Sequence, residues 1–265
     1  DPRRVTALGA RFKYKRAGKV VCVSRAIAAI MTASGIPSEK LAVVTDGLPA
    51  NNEESGWAGI EERGFAAPTD KEKKEYRLLL SEELGLDSTM TWLGNLAALV
   101  PHKDHDTLLA AAVIVLLKRP DVLFLIAGRG PQEASLFESI RRMGLLGKVV
   151  LLGHRADPLP LLKALDIYVQ SSWGEGMGSV LLEAAACGAP IAATTAGGIP
   201  EIVEDGVTGL LAPPRRPEAL AAALIRLIDD RALGARLASA GRLRVAARFG
   251  LKRMADDMGK IYDSL

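Results

Sequence analysis

Residues 167–186 read IYVQSSWGEGMGSVLLEAAA. Ile167–Gln170 is short, apolar and built from β-branched and aromatic residues, which suits a strand. From about Gly178 to Ala186 the residues are chiefly Leu, Ala and Glu, all strong helix formers. A strand that passes through a glycine-rich turn directly into a helix is the unit from which parallel sheets are built. Working outward, the unit repeats. Upstream, strands are expected at Met90–Leu96, Val122–Ala127 and Val149–Leu152, alternating with helices at Asp106–Lys118, Gln132–Met143 and Leu159–Ala164. Downstream, strands at Pro190–Thr194 and around Gly209–Ala212 precede three helical segments, Pro217–Asp229, Arg231–Arg248 and Leu251–Ser264. Val122–Ala127 is apolar throughout, as a strand buried on both faces must be. The fold class is α/β, a doubly wound parallel sheet.

The N-terminal part is shorter than such a sheet requires. It offers a strand at Lys19–Val23, a helix at Ser24–Ala33 and a strand at Leu41–Thr45. Forty-seven residues do not make a stable doubly wound domain. Residues 1–47 are therefore expected to be the end of a larger N-terminal domain, or to pack on the second one; the absence of an initial Met fits a fragment. Residues 48–75, with Asn51, Asn52, Gly56, Gly59, Gly64 and Pro68, read as a linker with a capped helix start at Thr69–Asp70. Residues 76–249 form the main domain and 250–265 a final helix.

Composition narrows the class. With 49% apolar and 25% charged residues, the 265-residue chain is not disordered, collagen-like or a coiled coil. The most apolar run, Leu108–Leu117, is too short to span a bilayer, and the N-terminal residues given do not resemble a signal peptide. Cys22 and Cys187 stand alone, as reduced thiols of a cytoplasmic protein do. The net charge of +3 conceals +7 on the first 25 residues, including Arg3, Arg4, Arg11, Lys13, Lys15 and Arg16. That stretch suits phosphate or the anionic inner face of a membrane, as a peripheral contact. Phe12 and Tyr14 make no stacking pattern, so nucleic acid is not expected.

In an open α/β sheet, ligands bind beyond the carboxyl ends of the strands. The loops expected there hold Lys103, Gly128-Arg129-Gly130-Pro131, Gly153-His154-Arg155, Glu175-Gly176-Met177-Gly178 and Gly197-Gly198. Gly176–Gly178 opens a helix, so free backbone N–H groups and the positive end of the helix dipole face the cleft, an arrangement suited to phosphate. Glu175 and Glu183 lie eight residues apart; carboxylates are good acceptors for sugar hydroxyls, and Lys103 is expected as the counter-charge for phosphate oxygens. Residues 128–133 lack the third glycine of the dinucleotide fingerprint, and residues 144–149 lack the Walker spacing, so neither hydride transfer nor P-loop hydrolysis is supported. His102, Asp104 and His105 lack a further ligand at sensible spacing, so no metal site is expected; Asp104 or Asp106 caps the helix that follows. Glu201 reads as a first-turn helix charge, Trp173 as cleft-wall packing and Cys187 as core.

From Glu175 to Glu183, then Gly188-Ala-Pro190, Gly197-Gly-Ile-Pro-Glu201 and Asp205-Gly-Val-Thr-Gly209, the chain resembles retaining glycosyltransferases of the GT-B fold, and more narrowly family 4 with its E-x7-E motif. Pro101-His-Lys103, residues 127–131, Leu152-Gly153, Val23-Ser24, Gly35-Ile-Pro and Asp46-Gly47 also match. The resemblance implies a Rossmann-like donor-binding domain and a transferase that moves sugar from a nucleotide-diphosphate-sugar to an acceptor (a glycan, a lipid or a small molecule) with retention. Lys103 would neutralise the diphosphate and Glu175 would contact the donor sugar, both catalytic. Glu183 would accept from the ribose, and Gly176, Met177, Gly178 and Ser179 would surround sugar and phosphate. Gly128, Arg129, Gly130, His154 and Arg155 would flank base and ribose, with Gly197 and Gly198 at the cleft edge. No metal or other cofactor is implied. The final helix would cross back toward the N-terminal domain, most of which, with its acceptor site, is expected to lie outside this chain; the chain would then bind donor without transferring alone. Where many family members carry an arginine, this sequence has Asn95, so either one cationic partner is missing or Arg129 or Arg155 replaces it. A nucleotide-sugar epimerase and a non-catalytic nucleotide-sugar-binding module remain open alternatives.

Overall fold

The structure, a computed structural model, describes Gly9, residues 13–49 and residues 64–265. Most of the linker expectation, with Asn51, Asn52, Gly56 and Gly59, falls outside these residues, as do Arg3, Arg4 and Arg11. The N-terminal part holds β1 (Val20–Cys22), α1 (Arg25–Ala33) and β2 (Leu41–Val43), with β1 and β2 paired in parallel. Cys22, Met31 and Ile36 form its small core.

α2 (Asp70–Leu84) begins with a capping box. Thr69 Oγ1 accepts from the Glu72 N–H, and the Thr69 N–H donates to Glu72 Oε2 at 2.7 Å. Gly85, at φ 65°, ends the helix in the left-handed region. The helix runs through residue 75, where the linker was expected to stop.

The main sheet consists of β3 (Thr91–Leu96), β4 (Val122–Ala127), β5 (Val149–Gly153), β6 (Ile167–Gln170), β7 (Ile191–Thr194) and β8 (Leu210–Ala212). All pairs are parallel, in the order β5-β4-β3-β6-β7-β8. The two-residue period of a strand explains its burial on both faces. Val122, Phe124 and Ile126 enter one core, and Leu123, Leu125 and Ala127 the other. The first core is covered by α3 (His105–Lys118), α4 (Glu133–Arg142) and α8 (Pro217–Asp229). The second is covered by α2, α5 (Leu159–Ala164) and α6 (Ser179–Ala186). α9 (Arg231–Arg248) sends Leu233 and Leu237 to one core and Val245 to the other, wrapping the edge of the sheet. Trp92, Tyr168 and Phe124 are the largest fully buried side chains, and burying an apolar side chain of this kind contributes about 1.5–3 kcal/mol.

Strand order reverses between β3 and β6, the switch point where such sheets open a crevice. At the lower end of that pair, Asp166 accepts from the Trp92 N–H at 2.8 Å and pairs with Lys73 at 3.0 Å and Arg77 at 2.8 Å. Arg77 also stacks over the Trp92 ring. α10 (Leu251–Asp263) returns to the N-terminal part. Leu48 N–H donates to Phe249 O at 2.7 Å, Leu251 N–H donates to Leu48 O at 2.8 Å, and Arg253 Nη2 donates to Thr45 O at 2.8 Å. No helix among the described residues is long and apolar enough to cross a membrane.

Candidate functional site

The crevice is assembled from the loops after β3 and β6. After β3 the chain makes a single turn, Pro101–Lys103, before Asp104 caps α3. Asp104 accepts from the Thr107 N–H at 3.3 Å and from Thr107 Oγ1 at 2.8 Å, so it, not Asp106, is the cap. The turn is stitched to the loop after β6: Ser171 Oγ donates to Lys103 O, Trp173 N–H to His102 O, and Trp173 Nε1 to Pro101 O. These bonds bring Lys103 Nζ to 2.6 Å from Glu175 Oε2, an ion pair whose side chains are 17% and 9% exposed. Gln170 Nε2 and Ser172 Oγ donate to the same oxygen, at 2.9 and 3.1 Å.

Behind Glu175 runs α7 (Ile199–Ile202) with its preceding turn. A Cβ on Gly197, which sits at φ 53°, would lie 1.8 Å from Glu175 O, and one on Gly198 2.4 Å from Gly176 O. Backbone meets backbone here, so the two glycines buttress the Glu175–Gly178 loop. The same holds on the other side, where a Cβ on Gly128 would lie 1.9 Å from Ala97 O and one on Gly130 2.3 Å from Leu99 O. Gly178 is left-handed at φ 91° and opens α6, with Ser179 exposed in its first turn and Met177 buried. Glu183 lies one turn further on, partly buried. Burial raises its pKa, and among the described residues no charge partner offsets that rise.

Asn95 lies near the end of β3, buried beneath these loops. It is 2% exposed, donates from Nδ2 to Val169 O at 2.8 Å, and meets His105 Nε2 at 3.1 Å through Oδ1. It thus ties β3 to β6 and to the start of α3. Burial, with Lys103 nearby, brings the His105 pKa down to about 4. Of the two arginines weighed as replacements, Arg155 is held by Glu83 through two bonds of 2.5 and 3.2 Å, and Arg129 is exposed on its loop. His154 is exposed beside Arg155. A cavity of about 400 Å³ lined by Lys73, Asp166 and Cys187 lies at the opposite edge, away from this cluster.

Three features were not read from sequence. Tyr168 OH lies 2.7 Å from Gln170 Oε1, continuing the network behind Glu175. Ser24 Oγ donates to Gly176 O at 2.6 Å and Asp46 N–H contacts Met177 Sδ at 3.2 Å, so the N-terminal part grips the same loop. Glu201 spans the N-terminus of α1, accepting from the Arg25 and Ala26 N–H groups at 3.1 Å each. A polar Gln at the end of an apolar strand was the available signal for the first.

The family model for glycosyl transferases group 1 matches residues 73–244. A GDP-mannose-dependent phosphatidylinositol monomannoside mannosyltransferase of Corynebacterium glutamicum is 33% identical over 218 residues, 78% of this chain and 55% of that protein. The lipopolysaccharide core mannosyltransferase LpsB of Rhizobium meliloti is 29% identical over 214 residues, covering 78% and 59%. The chain thus spans little more than half the length of these curated relatives. Among solved structures, Anabaena HepE in complex with UDP and glucose superposes with a TM-score of 0.85 at 25% identity, covering 100% of this chain and 69% of that one. A second HepE structure, in complex with UDP-glucose, gives 0.84 with 70% of that chain covered. On both the sequence match and the sheet topology, the chain belongs to the group 1 glycosyl transferases.

Proposed function

We propose that these residues form the donor-binding half of a retaining, family 4 glycosyltransferase, which moves a sugar from a nucleoside diphosphate sugar to a glycan, lipid or small-molecule acceptor. The observation that carries the reading is the meeting of Lys103 and Glu175 beside the glycine-rich start of α6, at the switch point of the sheet. The HepE complexes with UDP and UDP-glucose support the donor class. Lys103 and the α6 amides would balance the diphosphate as it leaves, without a metal. Glu175 would accept from hydroxyls of the donor sugar, and Glu183 from those of the ribose. The Gly128–Gly130 and His154-Arg155 loops would border the base. Transfer needs acceptor-binding groups beyond these, so the 265 residues are expected to bind donor without turning it over. A cytoplasmic protein with peripheral membrane contact through its basic N-terminal residues fits the same reading.

The test is a thermal-shift panel of UDP, GDP, ADP and their glucose and mannose conjugates, on wild type and Glu183→Ala. A ligand of the folded state raises the midpoint by mass action. One base family should stabilise wild type and lose most of its effect in the variant. A panel with no shift at millimolar ligand overturns the assignment, and epimerised sugar recovered from donor alone identifies an epimerase instead.

A further inference from the structure

Glu175 is held through one oxygen only. Oε2 faces Lys103 Nζ at 2.6 Å, Gln170 Nε2 at 2.9 Å and Ser172 Oγ at 3.1 Å, and among the described residues no hydrogen bond reaches Oε1. Gln170 is 2% exposed and Ser172 1%, so neither can exchange its partner for water. A buried amide at the end of an apolar strand is costly unless it is bonded, and this one is bonded at both ends. Tyr168, fully buried, keeps its proton and gives it to the nearer of its two acceptors, Gln170 Oε1 at 2.7 Å rather than Leu96 O at 3.4 Å. That fixes the amide: its oxygen faces Tyr168 and its NH₂ faces Ser172 and Glu175.

The ion pair sets a problem for a donor site. Lys103 is the counter-charge for the diphosphate, yet here it sits on the carboxylate meant for the sugar. When phosphate oxygens draw the ammonium away, a carboxylate held by Lys103 alone would be free to turn. We propose that Gln170 and Ser172 are positioning residues: they retain Glu175 through Oε2 when Lys103 moves to the diphosphate, so that Oε1 stays presented to the donor sugar. This rests on the reading of the crevice as a nucleoside diphosphate sugar site. The two neutral donors cost nothing to reorganise at that moment, which is what preorganisation requires. Tyr168 acts one step further back by setting the amide.

The test is calorimetric titration of the chain with UDP, GDP and ADP and with their glucose and mannose conjugates. The ratio of conjugate to bare diphosphate affinity isolates what the sugar contributes. A hydrogen bond to a charged acceptor is worth about tenfold or more in binding. Gln170→Leu should cut the sugar's contribution by about that factor while leaving the bare diphosphate within about twofold; Ser172→Ala should act in the same direction. Gln170→Glu places a second carboxyl against Oε2. Its conjugate affinity should be close to wild type when one of the pair is protonated and fall as pH rises and both ionise, a fall steeper than any that the Glu183 titration gives wild type over the same range. That comparison is made within one folded protein, so it stands even where Gln170→Leu fails to fold. Retention of the full sugar contribution in Gln170→Leu, or equal loss of conjugate and bare diphosphate, overturns the positioning role. If wild type binds no nucleotide at all, the donor site itself falls, and this inference with it.

Discussion

His105 opens α3 with 3% exposure, its Nε2 facing Asn95 Oδ1 and its Nδ1 without a hydrogen-bond partner among the described residues. Burial first, then the charge of Lys103, lowers its pKa from 6.5 to about 4, against a smaller opposing effect of Asp104. The imidazole is therefore neutral in the folded protein at pH 7, and Nε2 carries the proton it donates to Asn95. On acidification the unfolded chain protonates first, so the stability conferred by a neutral His105 is complete above about pH 6.5 and is withdrawn as pH falls toward 4. From those two values the loss comes to about 2 kcal/mol at pH 5 and about 3 kcal/mol at pH 4. The assay is urea unfolding of wild type and His105→Gln at pH 7 and pH 5. Glutamine keeps a donor for Asn95 and cannot titrate, and the carboxylate titrations common to both proteins cancel in the difference. The stability advantage of wild type should shrink by about 2 kcal/mol between the two pH values. A difference that stays constant would refute the reasoning, because His105 would then take up its proton alike in both states.

Other substitutions probe the frame and the loop. Asp166→Asn removes the pairing with Lys73 and Arg77 but keeps an acceptor for the Trp92 N–H. Burial alone would raise the Asp166 pKa, but the two cations and that N–H outweigh it and hold the carboxyl low. The loss, about 1–2 kcal/mol at neutral pH, should therefore disappear as acid takes the pH down through the lowered value, which denaturation at both extremes would show. Gly197→Ala drives a Cβ into Glu175 O from a left-handed backbone, and should cost about 2 kcal/mol or more in melting experiments while weakening nucleotide binding. Cys187, its thiol pushed up to about 12 by burial, and Cys22, raised for the same reason, should both resist Ellman's reagent in native protein and react on unfolding.

β4, β6 and β7 were legible because they are buried on both faces and read as short, chiefly apolar runs; Val122–Ala127 and Ile167–Gln170 begin and end where the residues change character. The start of α2 was legible because a capping box is local, Thr69 to Glu72. Lys103 and Glu175, 72 positions apart, were placed on one edge because parallel topology sends every loop after a strand to the same side. Local pattern carries nothing about which distant groups pair. The grip of Glu83 on Arg155 and the bonding of Glu201 to α1 across 175 positions are set by packing, and Glu201 read from sequence was only a charge at a helix start. Gln170 was visible as a polar residue closing an apolar strand, but its partners were not.

The bonding of α1 bears on how the N-terminal part relates to the site. Ser24 caps α1 by accepting from the Ile27 N–H at 3.1 Å, and the same hydroxyl donates to Gly176 O. Glu201, three residues after the glycines that buttress Glu175, takes two more of the helix's free N–H groups. The start of α1 is therefore satisfied partly from within and partly from the main domain; Ser24 also bonds the loop that opens α6, and the Glu201 N–H donates to Gly198 O, one of the glycines behind that loop. Ser24→Ala and Glu201→Gln should each cost about 1 kcal/mol, the worth of a helix cap or of an anion at a helix N-terminus. If α1 docks as a unit, the first change already loosens what the second would break, so the double variant should fall short of the sum by about 0.5 kcal/mol or more. Ser24→Ala should also weaken nucleotide binding, since Gly176 O loses its donor. Strict additivity in urea unfolding, with nucleotide affinity untouched, would mean that α1 and the Gly176–Gly178 loop are merely neighbours.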